Sequence, residues 1–352
     1  MNTLISLVQS LSGPEKRYVK KYIRMHKSES HCAKLYDAMC RKPVIESGKF
    51  RYNGQPQVKK EQLHVIKYQL RDIILRALQH YHQRDSVYAM HQSDMQSLYL
   101  LYEKEQYDLG FKLIKRAEER ARSKEHFLGL AEVLEWKRKF VQARNPSEFN
   151  ALISIISAQQ EAIEILENEN LHWQKALDVS GIFFRRKSFD AKKIMEELGY
   201  ASTLQSKVLQ HFILMQVELM RENQQGAIAT MRELVKEFEN NPVLLSKDPG
   251  MYMSTVNNLA GIILMSGDFE GALKLIHHSR NIYRRELRTN QSRRYLKSLL
   301  RSYNVELEIL RDSHKYALAL PVIEEISSFI RDKKTHIPET YFISFSFQIA
   351  YI

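Results

Sequence analysis

The chain has 352 residues, 44% hydrophobic and 27% charged, the balance of a protein that can bury a sizeable core and not that of a disordered or fibrous one. Its two cysteines, Cys32 and Cys40, exclude a disulfide framework and a paired-cysteine zinc site. No apolar run reaches the ~20 residues of a membrane span, and the first residues, MNTLISLVQSLSGPEKRY, lack the charge, apolar core and cleavage pattern of a secretory signal. Reduced thiols, cytoplasmic residence and no membrane partner are the resulting expectations.

Glycine (12) and proline (8) are scarce, which favours helix almost throughout. The formal net charge of +12 is unevenly spread: residues 1–90 hold 17 bases and 7 acids, while the other 262 hold 36 and 34. Such asymmetry points to an acidic partner for the first part of the chain. In PEKRYVKKYIRMH (14–26), Lys16, Arg17, Lys20, Lys21 and Arg24 share one helical face, with Tyr18, Val19, Tyr22 and Ile23 on the other. In the helix expected around 58–82, Leu63, Ile66, Leu70, Ile73, Ile74, Ala77 and Tyr81 form an apolar stripe, and Lys60, His64, Lys67 and Arg71 a basic one. These two basic faces are candidates for polyanion binding, DNA or RNA included. The bland alternative is a pair of solvated bundle faces. Residues 41–57, with Pro43, Gly48, Gly54 and Pro56, read as a loop in which GKFRY can form a short strand, as in a winged-helix-like arrangement. Residues 1–85 are therefore expected to form a small basic bundle of about four helices, followed by a polar joint at 83–94.

From there the pattern is helix after helix. The expected segments are 94–104, 107–123, 126–143, 147–167, 169–184, 188–197, 202–222, 225–239, 251–266, 269–286, 291–312 and 315–332, with short joints that favour antiparallel neighbours. A last helix is expected near Pro338. The ending TYFISFSFQIAYI is apolar on several sides, which predicts either self-association through this terminal helix or an array that is incomplete at its C-terminus.

One stretch carries a more specific pattern. In NNLAGIILMSGDFEGALKLIHHS (257–279), Leu259 and Ala260 precede Ile263 by about a turn, Gly267 marks a turn, Phe269 follows, and Ala272, Ile276 and Ser279 keep helical spacing. In 98–117, Leu98 and Leu101 are followed by Tyr107, Gly110, Ile114 and Ala117; in 303–326, Leu307 and Leu310 are followed by Tyr316, Ala319, Ile323 and Ile326. Residues 215–235 give a weaker copy, with Ala227, Met231 and Leu234 but no aromatic. This resembles the tetratricopeptide repeat, a helix–turn–helix unit of 34 residues. Residues 126–205 show no clear copy. The resemblance implies an all-α, right-handed superhelical solenoid over 90–352, with the small and aromatic residues as packing positions and a concave groove that holds peptides.

Motifs of chemistry are missing: no phosphate loop, dinucleotide fingerprint, metalloprotease His pair or nucleophile elbow. His80 and His82, and likewise His277 and His278, point apart on a helix. A non-catalytic protein without cofactor or metal is expected. The run YRRELRTNQSRRYLKSLLRSY (283–303) supplies Arg284, Arg285 and Arg288 on one helix and Arg294, Lys297 and Arg301 on the next, as candidate anchors for an acidic peptide or a carboxylate. A protein- or peptide-binding scaffold is the leading expectation. The alternative is a nucleic-acid-binding regulator with residues 1–85 as effector and the repeats as sensor.

Overall fold

The computed structural model describes residues 2–26, 31–41, 51–52, 55–56, 60–84, 86–185, 190–242, 245, 249–287, 293–333, 345–346 and 349–350. Among them the chain is all-α: fifteen helices and a single two-residue β-ladder. It divides into two compact units, 1–156 and 157–352.

The first unit opens with α1 (Asn2–Ser10), α2 (Gly13–His26) and α3 (His31–Arg41), then β1 (Arg51–Tyr52) and β2 (Gln55–Pro56), then α4 (Lys60–Tyr81). The strands are antiparallel, Arg51 opposite Pro56, and β1 holds the last two residues of GKFRY. The rest of the expected loop, apart from Arg41, lies outside the described residues. Ser12 starts α2 with a capping box: the Glu15 amide donates to Ser12 Oγ (3.4 Å) and the Ser12 amide to Glu15 Oε2 (2.6 Å). The four helices have a core of their own, with Val8, Val19, Leu70, Ile74 and Ala77 fully buried. Cys32 and Cys40 sit on α3, one buried and one exposed, and neither is bridged.

Helices α5 (Val87–Glu103), α6 (Tyr107–Ser123) and α7 (Phe127–Arg144) follow. Helix α5 begins seven residues before the expected 94, because Ser86 caps it, accepting from the Ala89 amide at 3.1 Å, and nothing in 87–93 breaks a helix. Each helix packs on the next, and α5 also reaches α7. Their core combines Leu98, Ile114, Ala117, Val133 and Phe140, with Tyr102, Tyr107, Phe111 and Trp136 at its edge.

The expected break near 168 does not occur: α8 (Phe149–Arg185) is one helix of 37 residues and crosses the division between the units. Asn168 and Glu169 turn their side chains outward instead. Asn168 Nδ2 donates to the Tyr200 carbonyl (3.1 Å), and Glu169 accepts from the Thr203 hydroxyl (2.6 Å). Neither proline nor glycine stands there to stop the backbone. The second unit continues with α9 (Ala191–Leu198), α10 (Leu204–Met220), α11 (Gln224–Asn240), α12 (Pro249–Met265), α13 (Phe269–Leu287), α14 (Arg293–Asp312) and α15 (Tyr316–Lys333). From α10 to α15 every helix packs on the next, and α12 also packs on α14. Most of the expected helical boundaries are met within three residues.

One turn recurs through both units. The joints after α5, α6, α10 and α14 each carry a residue with positive φ: Glu105 (55°), Glu125 (48°), Glu222 (61°) and His314 (56°). In each, the next amide bonds back five residues, Gln106 to Leu101, His126 to Ala121, Asn223 to Glu218 and Lys315 to Leu310, at 2.8–2.9 Å. The positive-φ amide itself bonds back three, which makes all four Schellman ends. Gly267 takes this position after α12, with φ 82°. Counting from these residues, the second position is Tyr107, Phe127, Gln224, Phe269 or Tyr316, and the fifth is buried Gly110, Leu130, Ala227, Ala272 or Ala319. The copy at Glu125 is absent from the sequence reading. Its signal was present in the chain: Lys104-Glu105-Gln106-Tyr107 is matched by Lys124-Glu125-His126-Phe127.

Candidate functional site

Four helices that alternate with others in the chain, α8, α10, α12 and α14, line two adjoining cavities of about 460 and 710 Å3 in the second unit. The cavities share Phe212 and Gln216 and so form one groove. Each helix offers a stripe at helical spacing: Trp173, Leu177, Ser180 and Phe184 from α8; Gln205, Phe212, Gln216 and Leu219 from α10; Met251, Ser254, Asn258, Gly261 and Met265 from α12; Ser298, Arg301, Glu308 and Asp312 from α14. Of the described residues of α13, only the first, Phe269, lines the groove. The walls are apolar and partly solvent-facing. Leu177, Phe184 and Met265 are 68%, 78% and 65% exposed.

Polar side chains tie the groove helices together. Ser180 and Gln216 exchange hydrogen bonds at 3.0 and 3.1 Å between α8 and α10. Asn257 Nδ2 donates to the Ser298 carbonyl (3.2 Å), Ser298 Oγ to the Gly250 carbonyl (3.3 Å), and Arg301 Nη2 to Asn258 Oδ1 (2.8 Å), which fixes α12 on α14. Gly261 presents bare backbone, with nothing within 4 Å of where a Cβ would stand.

Another face of α14 meets α13 through a buried charged cluster. Arg280 Nη1 donates to Glu306 Oε2 (2.6 Å), its Nε to Ser302 Oγ (3.2 Å), and its guanidinium lies 3.9 Å from the Tyr303 ring centre. His277 Nε2 stands 2.6 Å from Glu306 Oε1. Both Glu306 oxygens are thus engaged, and removing Arg280 would leave the buried carboxylate without its closest fixed positive charge. Burial, then the hydrogen bond to Glu325, pushes the Tyr303 hydroxyl up to about 12, so it stays a donor.

The predicted anchors divide. Arg301 lines the groove, whereas Arg284 is held by Tyr303 (2.7 Å) and by Glu325 of α15 and does not line it. The side chains of Arg285, Arg288, Arg294 and Lys297 lie outside the described residues. On α2, Arg17, Lys21 and Arg24 are exposed, Lys16 is half-buried and Lys20 pairs with Asp37 (2.7 Å). On α4, Arg71 pairs with Asp72 (3.2 Å) and stacks over Tyr68 at 4.4 Å; Lys67 is half-buried, and the Lys60 side chain lies outside the described residues. Of the repeat positions, Leu98, Gly110, Ala117, Ala260, Ala272 and Ala319 are buried, Tyr107 and Phe269 half-buried, Tyr316 exposed, and Gly267 forms its turn. Of the terminal helix expected near Pro338, residues 338–344, 347–348 and 351–352 lie outside the described residues; Phe345 is buried in a core of the second unit with Tyr303 and Leu307.

Among the described residues no three His, Cys, Asp or Glu side chains are grouped to hold a metal ion, and no helix is long and apolar enough to cross a membrane. No protein-family model, curated protein or solved structure matches the chain.

Proposed function

We propose that the chain is a non-catalytic interaction protein, a tetratricopeptide-like helix-pair solenoid whose groove in residues 157–352 holds an extended segment of a partner protein. The observation that carries this reading is the alternation: α8, α10, α12 and α14 line one groove, while among the described residues of α9, α11, α13 and α15 only Phe269 reaches it. Paired helices that stack in this way give a continuous surface suited to a peptide and not to a small substrate. The recurrent Schellman turns, with a buried residue five positions on that is small in all but the Glu125 copy, support the helix-pair repeat. Exposed apolar side chains beside amides and Arg301 supply both contact area and donors for a peptide backbone. The test is selection of a phage-displayed random peptide library on the full chain and on Gly261→Trp, which fills the groove from an open position. Enrichment on the parent alone supports the reading; equal enrichment on both moves binding elsewhere.

A second reading, a regulator that also holds nucleic acid, is favoured by one observation. Arg17, Lys21 and Arg24 recur at i, i+4 and i+7 on α2, exposed and without an ion pair among the described residues. Three such cations on one stripe match the spacing of a phosphate backbone better than a neutralised bundle face does.

A further inference from the structure

The larger cavity, of about 710 Å3, holds a buried acceptor that no donor reaches. Asn257 lines it and is 2% exposed; its Nδ2 is satisfied by Ser298, but its Oδ1 is buried without a partner. A buried acceptor in this state calls for a donor from elsewhere. Glu308 lines the same cavity, half-buried, with no hydrogen bond or ion pair among the described residues. Arg311, one turn on, donates to Asp312 at 2.7 Å. Arg301, the one cation among the described lining residues, donates to Asn258. Burial pushes the Glu308 carboxyl up, Arg311 opposes this and Asp312 adds to it, so a fixed positive charge would be welcome there. Phe184, Met265 and Phe269 give the cavity aromatic and thioether walls.

We propose that this cavity is a subsite for a basic side chain, lysine or arginine, of the peptide segment held in the groove. Glu308 is the counter-charge, Asn257 Oδ1 accepts an N–H of the bound segment, and the Phe and Met walls cover the apolar stem and face the charge. The inference rests on the peptide-groove reading above and adds the chemistry of the occupant. It also fixes a spacing. Arg301 and Glu308 are seven residues apart on one face of α14, about 10 Å along the axis. An acidic group set against Arg301 would then lie about three residues from the basic one in an extended peptide.

The experiment selects a phage-displayed random dodecapeptide library on the full-length chain, then on Glu308→Gln, Glu308→Lys and Gly261→Trp, each checked for helical content and melting temperature. The expected result is enrichment of Lys or Arg beside an apolar residue, about ten-fold less preference for it on Glu308→Gln, and a switch to Asp or Glu on Glu308→Lys. If Glu308→Gln does not fold, Glu308→Asp serves: it keeps the basic preference at weaker binding. Peptides enriched on the parent and lost on Gly261→Trp, but with no basic preference or one untouched at Glu308, overturn the cation subsite and leave the groove standing. No enrichment on the parent, or enrichment that survives Gly261→Trp, removes the groove reading and this inference with it.

Discussion

Gly110 of α6 lies flat against the ring of Phe140 on α7: a Cβ built on Gly110 would stand 2.6 Å from Phe140 Cζ. Helix propensity alone predicts that Gly110→Ala stabilises, by up to about 1 kcal/mol. Overpacking against a ring that is 0% exposed predicts the reverse, a loss of about 1–3 kcal/mol. The second effect should win, because Phe140 is fully buried and held edge-on by Tyr102, Tyr107, Phe111 and Trp136. Urea denaturation of Gly110→Ala checks the sign, and Phe140→Leu in the same chain should recover part of the loss.

Gly261 is the opposite case. It sits inside α12 with open groove above it, so Gly261→Ala should stabilise by about 0.5–1 kcal/mol through backbone entropy alone. A higher melting temperature for Gly261→Ala, with peptide binding kept, and an unchanged fold with binding lost for Gly261→Trp, are the paired outcomes. A destabilised alanine variant would mean that the groove is closed in solution.

The recurring turn gives a second pair of opposite signs. Gly267 holds φ 82° and has free space around it, so Gly267→Ala adds only backbone strain, about 1 kcal/mol. Glu222 already bears that strain at φ 61°, so Glu222→Gly should stabilise by a similar amount. Chemical denaturation of both variants measures the difference.

How much of this could be read from the sequence depends on the kind of signal. Helix identity was legible because apolar spacing and scarce breakers agree, and the turn at Gly267 announced itself because glycine favours positive φ. At Glu105, Glu222 and His314 the copies were read from the residues that follow, since neither glutamate nor histidine marks a positive φ, and the copy at Glu125, where Leu130 stands at the small-residue position, went unread. The continuity of α8 was missed because the expected segments were cut at 168 on a local window, in which the distant residues that occupy Asn168, Tyr200 and Ser202, are invisible. Arg301 and Arg284 were both expected as anchors from charge density; Arg301 lines the groove, whereas Arg284 meets Glu325, forty-one positions away. Asn257 and Glu308 were missed altogether: an unmet hydrogen bond is a property of the packed site and leaves no trace in residue type.

The Ser12–Glu15 box predicts a pH dependence. Burial alone would raise the Glu15 carboxyl, but hydrogen bonds from Ser12 and the His82 ring at 2.7 Å outweigh it and hold the group below its usual value of 4.5. A carboxylate depressed in the folded state stabilises that state fully above its unfolded value, and this contribution fades as pH falls through the folded one. The melting temperature should therefore drop below about pH 4.5, and Glu15→Gln should flatten that part of the curve while lowering stability near neutrality. An acid limb unchanged in Glu15→Gln would assign the loss to other carboxylates.

The nucleic-acid reading turns on ionic strength. If Arg17, Lys21 and Arg24 contact phosphates, fluorescence anisotropy of the full chain with labelled random-sequence DNA or RNA should show binding that weakens steeply from low to physiological salt. Charge reversal at Arg17 and Lys21 should reduce the slope of log K against log salt by about one to two, because each lost contact releases one fewer counterion. Lys20 is the internal control: it is already paired with Asp37, so Lys20→Gln should leave the slope nearly unchanged. Binding that ignores salt, or a Lys20 effect equal to that of Arg17, would make the basic face of α2 a solvated surface and leave the groove as the working part of the molecule.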